Sequence, residues 1–284
     1  MIIDRLYEKV QQNGNSCVGL DTDIDYIPGW LKEKCQSVEE SLFEFNRMII
    51  DATEDIASCY KLQIAYYESY GLKGLMAYKK TLEYVKSKGA ISIGDIKRGD
   101  IAKTAQMYAK AHFEGDFESD FITLSPYMGM DSIEPYMDYM KNKNKGAFVL
   151  LRTSNPGAKD IQYISTDSGN HVYDEVGAQI EKLGQQVMGE CGYSSLGAVV
   201  GCTHVDEGEK IRAQFAKTYF LIPGYGAQGG KGDDVKVYLK NGNGGVVNSS
   251  RGILLAYKKV EGGEKRFDEC ARAEVERMNG DFRG

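Results

Sequence analysis

Short apolar runs alternate with longer stretches of helical periodicity from one end of the chain to the other. Strands buried on both faces read as near-continuous apolar runs, whereas covering helices repeat an apolar face every three to four residues. On that basis strands are predicted at 16–21, 58–65, 90–97, 120–125, 146–153, 196–202, 219–223 and 245–248. Helices are predicted at 39–56, 71–88, 101–114, 132–142, 172–190, 206–216, 233–239 and 264–278, and "MIIDRLYEKVQQ" reads as the start of an amphipathic helix. Strict alternation of eight such units implies an α/β fold with a parallel sheet, and eight strands close a (β/α)8 TIM barrel. A doubly wound open sheet is the alternative, but it usually has fewer strands. No Pro/Ser-rich linker or composition break divides the chain, so residues 1–284 read as a single barrel domain. The irregular stretches near 22–37 and 154–171 read as loop elaborations on it.

Composition narrows the classes. A net charge of −6 argues against a general nucleic-acid binder, while leaving room for a local phosphate site. Apolar runs such as 147–151 are far too short to span a bilayer, and the N-terminal helix start, which contains acidic residues, does not resemble a signal peptide. Six cysteines occur with no C-x-x-C pair, and several lie in strand-like runs, which suits buried free thiols in a reducing compartment. A cytoplasmic protein without membrane or nucleic-acid partners is expected.

In such a barrel, function belongs at the C-terminal ends of the strands. The predicted ends read "GLDTD", "YKLQ", "GDIKRGD", "LSPYMG", "LRTSNPG", "GCTH", "IPGYGAQGGKG" and "VNSSRG", so most of the unusual polar residues share one rim. The last two resemble a phosphate site. "PGYGAQGGKG" offers a flexible loop with exposed backbone N–H groups, and Arg251 follows strand eight with a planar charged fork. The charged cluster is a second site. Lys61 belongs to strand two, Asp95 and Lys97 end strand three on one face, and Asp100 follows at the next helix. Alternating charges can lock one another and so present an ammonium as a proton donor. For Asp100 alone, a helix N-cap is the plainer role. His112, His171 and His204 are isolated, no dinucleotide fingerprint or nucleophile elbow appears, and neither a metal nor a cofactor is expected.

The motif Asp95-x-Lys97-x-x-Asp100-Ile101 resembles the signature of the orotidine 5′-phosphate decarboxylases. "GLD" at 19–21, "YKLQIAYYESYG" at 60–71, "SPYMGMDSIEP" at 125–135, "LRTSNPGAKDIQ" at 151–162, "PGYGAQGG" at 223–230 and "NSSRGI" at 248–253 are similar to the longer bacterial branch of that family, in family order. The resemblance implies decarboxylation of orotidine 5′-monophosphate to UMP in pyrimidine synthesis, free of metal and cofactor. It implies that Lys61, Asp95, Lys97 and Asp100 form the catalytic Lys–Asp–Lys–Asp array, with Lys97 stabilising and protonating a carbanion at C6. By the same resemblance Asp21 holds ribose hydroxyls, Ser154 reads the pyrimidine edge, and Gln228 and Arg251 grip the phosphate. Asp100, Ile101 and Thr104 would reach into the partner's site of a homodimer. Two rivals remain on the same barrel: a metal-dependent sugar-phosphate decarboxylase or epimerase, and a non-catalytic phosphate-binding barrel. The related metal-dependent enzymes carry an acidic residue at the end of strand two, where this chain has Lys61.

Overall fold

The computed structural model describes residues 1–202, 205–226, 230 and 232–283. Eight parallel strands close in sequence order: β1 (Ser16–Gly19), β2 (Cys59–Gln63), β3 (Ser92–Arg98), β4 (Phe121–Leu124), β5 (Gly146–Arg152), β6 (Ser194–Val200), β7 (Thr218–Pro223) and β8 (Gly245–Ser249). β8 pairs back onto β1 through Ser16–Val247 and Cys17–Asn248, so no strand edge is left open. The helices are α1 (Ile2–Asn13), α2 (Gly29–Lys34), α3 (Val38–Thr53), α4 (Ile64–Glu68), α5 (Gly71–Ser87), α6 (Ala102–Phe113), α7 (Glu134–Asn142), α8 (Val172–Gly184), α9 (Val205–Gln214), α10 (Gly232–Lys236), α11 (Arg251–Leu254) and α12 (Phe267–Arg283). Among the described residues no helix is long and apolar enough to cross a membrane.

Alternation along each strand sorts side chains into two cores. Val18, Leu62, Ile122, Ala147, Ala198 and Ile222 face outward against the helices. Cys17, Cys59, Ile93, Phe121, Phe148 and Leu221 face into the barrel. The interior accommodates two large rings because glycines stand opposite them. Phe121 and Phe148 stack at 5.1 Å, and a Cβ on Gly146 would lie 2.2 Å from the Phe121 ring. The apolar stripe of α1, Ile2, Ile3, Leu6 and Val10, joins this inner core and plugs the N-terminal end of the barrel. Each such side chain, fully buried, contributes about 1.5–3 kcal/mol. The lower part of the barrel interior is therefore filled by apolar side chains.

Several boundaries differ from the sequence reading for local reasons. The strand expected to run to 65 stops at Gln63, whose side-chain oxygen accepts the Ala65 N–H and caps α4. The 22–37 stretch, read as irregular, holds a 3-10 turn at Ile24–Tyr26 and the short helix α2. The helix expected over 172–190 ends at Gly184 and passes into a 3-10 turn at Gln185–Val187. All six cysteines are free, with Cys17, Cys59, Cys202 and Cys270 buried.

Candidate active site

At the C-terminal mouth the inner face turns from apolar to charged. Lys61 is only 4% exposed, and its Nζ donates to Asp21 Oδ1 at 2.9 Å and to Asp95 Oδ2 at 3.2 Å. Lys97 Nζ donates to Asp95 Oδ1 at 2.6 Å. Asp21, Lys61, Asp95 and Lys97 thus form one alternating chain of charges across β1, β2 and β3. Burial pushes the Asp95 carboxyl up, but Lys61 and Lys97, with a hydrogen bond from Thr123, outweigh it and hold it at about 2, below the usual 3.8. For Lys61, burial works against the charge, and Asp21 and Asp95 more than compensate, keeping the ammonium above its ordinary range. At neutral pH the Asp95 carboxylate and the Lys61 ammonium therefore face each other as a charged pair.

Lys97 reaches this position through a break in its strand, not by simple alternation. The β3–β4 register runs from Gly94–Ile122 to Arg98–Leu124, so β3 carries two more residues than its partner between those pairs. Lys97 sits there at φ 45°, in the left-handed region. Such a conformation costs a β-carbon residue on the order of 1 kcal/mol and persists where the surroundings enforce it. The enforcing contact is Thr123 of β4, whose Oγ1 accepts the Ile96 N–H at 3.0 Å and the Lys97 N–H at 2.9 Å. The same hydroxyl donates to Asp95 Oδ1 at 2.8 Å.

Two further side chains complete the array. Gln63 Nε2 donates to Asp95 Oδ2 at 2.9 Å, and Ser250 Oγ donates to Asp21 Oδ2 at 2.7 Å. Gly19 makes the second contact possible, because a Cβ there would lie 2.0 Å from Ser250 Oγ. Thr123, Gln63 and Ser250 were not singled out from sequence. The signal available for Thr123 was a hydroxyl on the inward face of an apolar strand, two positions after Phe121.

The other expected site residues fall into three groups. Ser154 lies at the same mouth, two residues past β5, with Gly201 so close that a Cβ there would meet Ser154 Cβ at 2.9 Å. Its loop is tied back by Thr153 N–H to Gln162 Oε1 at 2.9 Å and by the buried Arg152, paired with Glu207 at 3.0 Å. Arg251 opens α11 and is exposed beside the glycine-rich loop's strand. Asp100, Ile101 and Thr104 are not part of the array within this chain. The Asp100 carboxylate accepts the adjacent Ile101 N–H at 2.8 Å and makes no hydrogen bond or ion pair with Lys61, Asp95 or Lys97. The N-cap of α6 is Ile101, so the capping role considered for Asp100 is not the one it plays. Gln228, most of its loop and His204 lie outside the described residues, although Gly226 N–H donates to Gly230 O at 2.9 Å and closes the loop's base.

Residues 15–265 match the model of the orotidine 5′-phosphate decarboxylase / HUMPS family. The chain belongs to that family. It is 66% identical over 278 residues to the orotidine 5′-phosphate decarboxylase of Clostridium novyi, covering 98% of this chain and 97% of that one. Its identity to the Clostridium acetobutylicum relative of the same name is 65% over 283 residues, covering 100% and 99%. Family resemblance extends to solved structures. The Leishmania donovani OMP decarboxylase superposes with a TM-score of 0.79 at 29% identity, covering 100% of this chain and 99% of that one. A Streptomyces avermitilis structure described as a putative orotidine 5′-phosphate decarboxylase gives 0.83 at 28%, covering 99% and 94%. The charged array thus lies at the C-terminal mouth of the barrel in a member of this family.

Proposed function

We propose that this chain is a carboxy-lyase that converts orotidine 5′-monophosphate to UMP and CO2 in pyrimidine synthesis. The observation that carries the reading is the Asp21–Lys61–Asp95–Lys97 chain of contacts at the barrel mouth in a member of this family. In the reaction the bond from C6 to the carboxylate breaks heterolytically, CO2 leaves, and the electron pair stays on C6. Lys97, held by Asp95, stabilises that charge and delivers a proton to C6, and water reprotonates the amine. Because the array is fixed before substrate arrives, little reorganisation is needed when charge develops. Lys61 locks the two carboxylates, and with Asp21 it meets the ribose hydroxyls.

Ser154 reads the pyrimidine edge, while Arg251 and Gln228 take the phosphate. Binding energy from that remote group can then be used to close the site and exclude water. The reaction as proposed uses neither metal nor cofactor. Lys61, rather than an acidic residue, in the C-terminal part of β2 favours it over the metal-dependent sugar-phosphate rival.

A homodimer belongs to the same proposal, with Asp100, Ile101 and Thr104 contributed to the partner's site. Supporting it, Ile101 at the N-cap of α6 and Met107 on α6 are each 47% exposed, and Tyr127 and Met128 are 80% and 49% exposed after β4. Apolar side chains left in water on neighbouring elements mark an interaction surface. We also propose a cytoplasmic location, which six free cysteines suit. The deciding test follows the ultraviolet absorbance of orotidine 5′-monophosphate with purified protein, with and without EDTA. Equal conversion to UMP in both supports the proposal. Loss of activity with EDTA would favour the metal-dependent rival, and no conversion in either would leave a phosphate-binding barrel.

A further inference from the structure

We infer that Thr123 is a positioning residue for the reaction: one hydroxyl holds both the backbone bend that aims Lys97 and the carboxylate that anchors it. The inference rests on the decarboxylase reading above and adds a residue to it. Thr123 is 1% exposed, on β4, and its methyl and backbone belong to an otherwise apolar strand. Its Oγ1 uses its full capacity, accepting the Ile96 and Lys97 N–H groups on two lone pairs and donating its proton to Asp95 Oδ1. The β3–β4 register shifts between Gly94 and Arg98, and in that stretch the hydroxyl takes both N–H groups. It thereby ties the irregular segment, with Lys97 at φ 45°, to β4.

The polarity of these bonds matters as well as their number. A proton donated to Asp95 Oδ1 leaves that oxygen an acceptor for one further donor on the same side, the Lys97 ammonium at 2.6 Å. Oδ2 is taken by Lys61 and Gln63. Thr123 thus fixes which carboxylate oxygen faces Lys97, and it sets where the Lys97 main chain starts. Both ends of the proton donor's tether are governed by one buried side chain.

The test compares Thr123→Val, which keeps shape and removes the hydroxyl, with Thr123→Ser, which keeps the hydroxyl and removes the methyl. For Thr123→Val, kcat is expected to fall roughly 10- to 100-fold, the scale of a lost hydrogen bond to a charged group. KM should stay within about threefold, because ribose, pyrimidine and phosphate contacts are untouched. Thr123→Ser should recover kcat to within about threefold of the parent. Circular dichroism checks that each variant is folded. Should Thr123→Val fail to fold, Thr123→Cys carries the same comparison, since its thiol is close in size but a weak hydrogen-bonding group. Unchanged kcat in the folded Val or Cys variant would overturn the inference, and so would an equal loss in Thr123→Ser, which would make the effect one of packing. A parent protein that does not turn over orotidine 5′-monophosphate at all would instead overturn the decarboxylase reading, a result visible before any variant is made.

Discussion

Replacing Lys61 by Met keeps the length and volume of a buried side chain but removes the cation between Asp21 and Asp95. In the parent, Asp95 is held at about 2 against the ordinary 3.8. At about 1.4 kcal/mol per pH unit, that gap corresponds to about 2 kcal/mol of stability, shared by Lys61, Lys97 and Thr123. The carboxyl is depressed in the folded state, so this stability is fully present above pH 3.8 and is lost as pH falls through about 2. Removing one partner of a buried ion pair costs roughly 3–5 kcal/mol, because the opposing charge is left desolvated. With Lys61 gone, burial is opposed by Lys97 and Thr123 alone, so the Asp95 carboxyl moves up. The variant then holds less of this stability at neutral pH and is hurt least at acid pH, where protonation removes the unpaired charge.

Urea denaturation followed by circular dichroism at pH 4.5 and pH 7 separates the two cases. The parent should be nearly flat in its Asp95 contribution over that range, whereas Lys61→Met should be weakest at pH 7. The gap between them should approach 3–5 kcal/mol at neutral pH and narrow toward acid. A gap below about 1 kcal/mol, or one equal at both pH values, would refute the idea that these carboxylates depend on a shared buried cation.

Three other substitutions test different parts of the site. Lys97→Ala should lower kcat by several orders of magnitude with little change in melting temperature, since the side chain is 45% exposed and makes a single ion pair; near-normal turnover would remove Lys97 from the chemistry. Gly19→Ala puts a Cβ 2.0 Å from Ser250 Oγ and should cost about 1–3 kcal/mol while pushing that hydroxyl off Asp21. Its expected readout is a raised KM, and an unaltered KM would separate Ser250 from ribose binding. Ile101→Asp places a charge on the exposed α6 face and should shift the protein to monomers in sedimentation velocity, with activity falling in parallel. A fully active monomer would show that the site is complete in one chain.

The barrel was legible because its signal is local and repeated. Most inner and outer strand residues obey a two-residue period, and the covering helices a period near 3.6, so boundaries moved by a few residues without changing the order of elements. The charged rim was legible for a related reason: Lys61, Asp95 and Lys97 are expensive inside a core unless paired, and they stand out in apolar context. Lys61 and Asp95 could be placed on one mouth from strand position alone. Thr123 could not be distinguished in this way, since a threonine in "FITL" looks like any β-branched strand residue.

What the amino-acid order determined by itself was the alternation, the side of the barrel on which polar residues gather, and the residue types able to do the chemistry. Tertiary structure decided how those residues meet. The bend at Lys97 depends on a hydroxyl 26 positions later in the chain, and Asp21 is oriented by Ser250, 229 positions away. Such contacts arise only when strands are set side by side in a closed sheet, with a register that skips residues in β3. No local propensity encodes that skip, because its energy comes from a partner strand. Asp100, Ile101 and Thr104 carry the point one level further: folding one chain leaves them outside the charged array, so any part they play in catalysis is a property of assembly and not of the single fold.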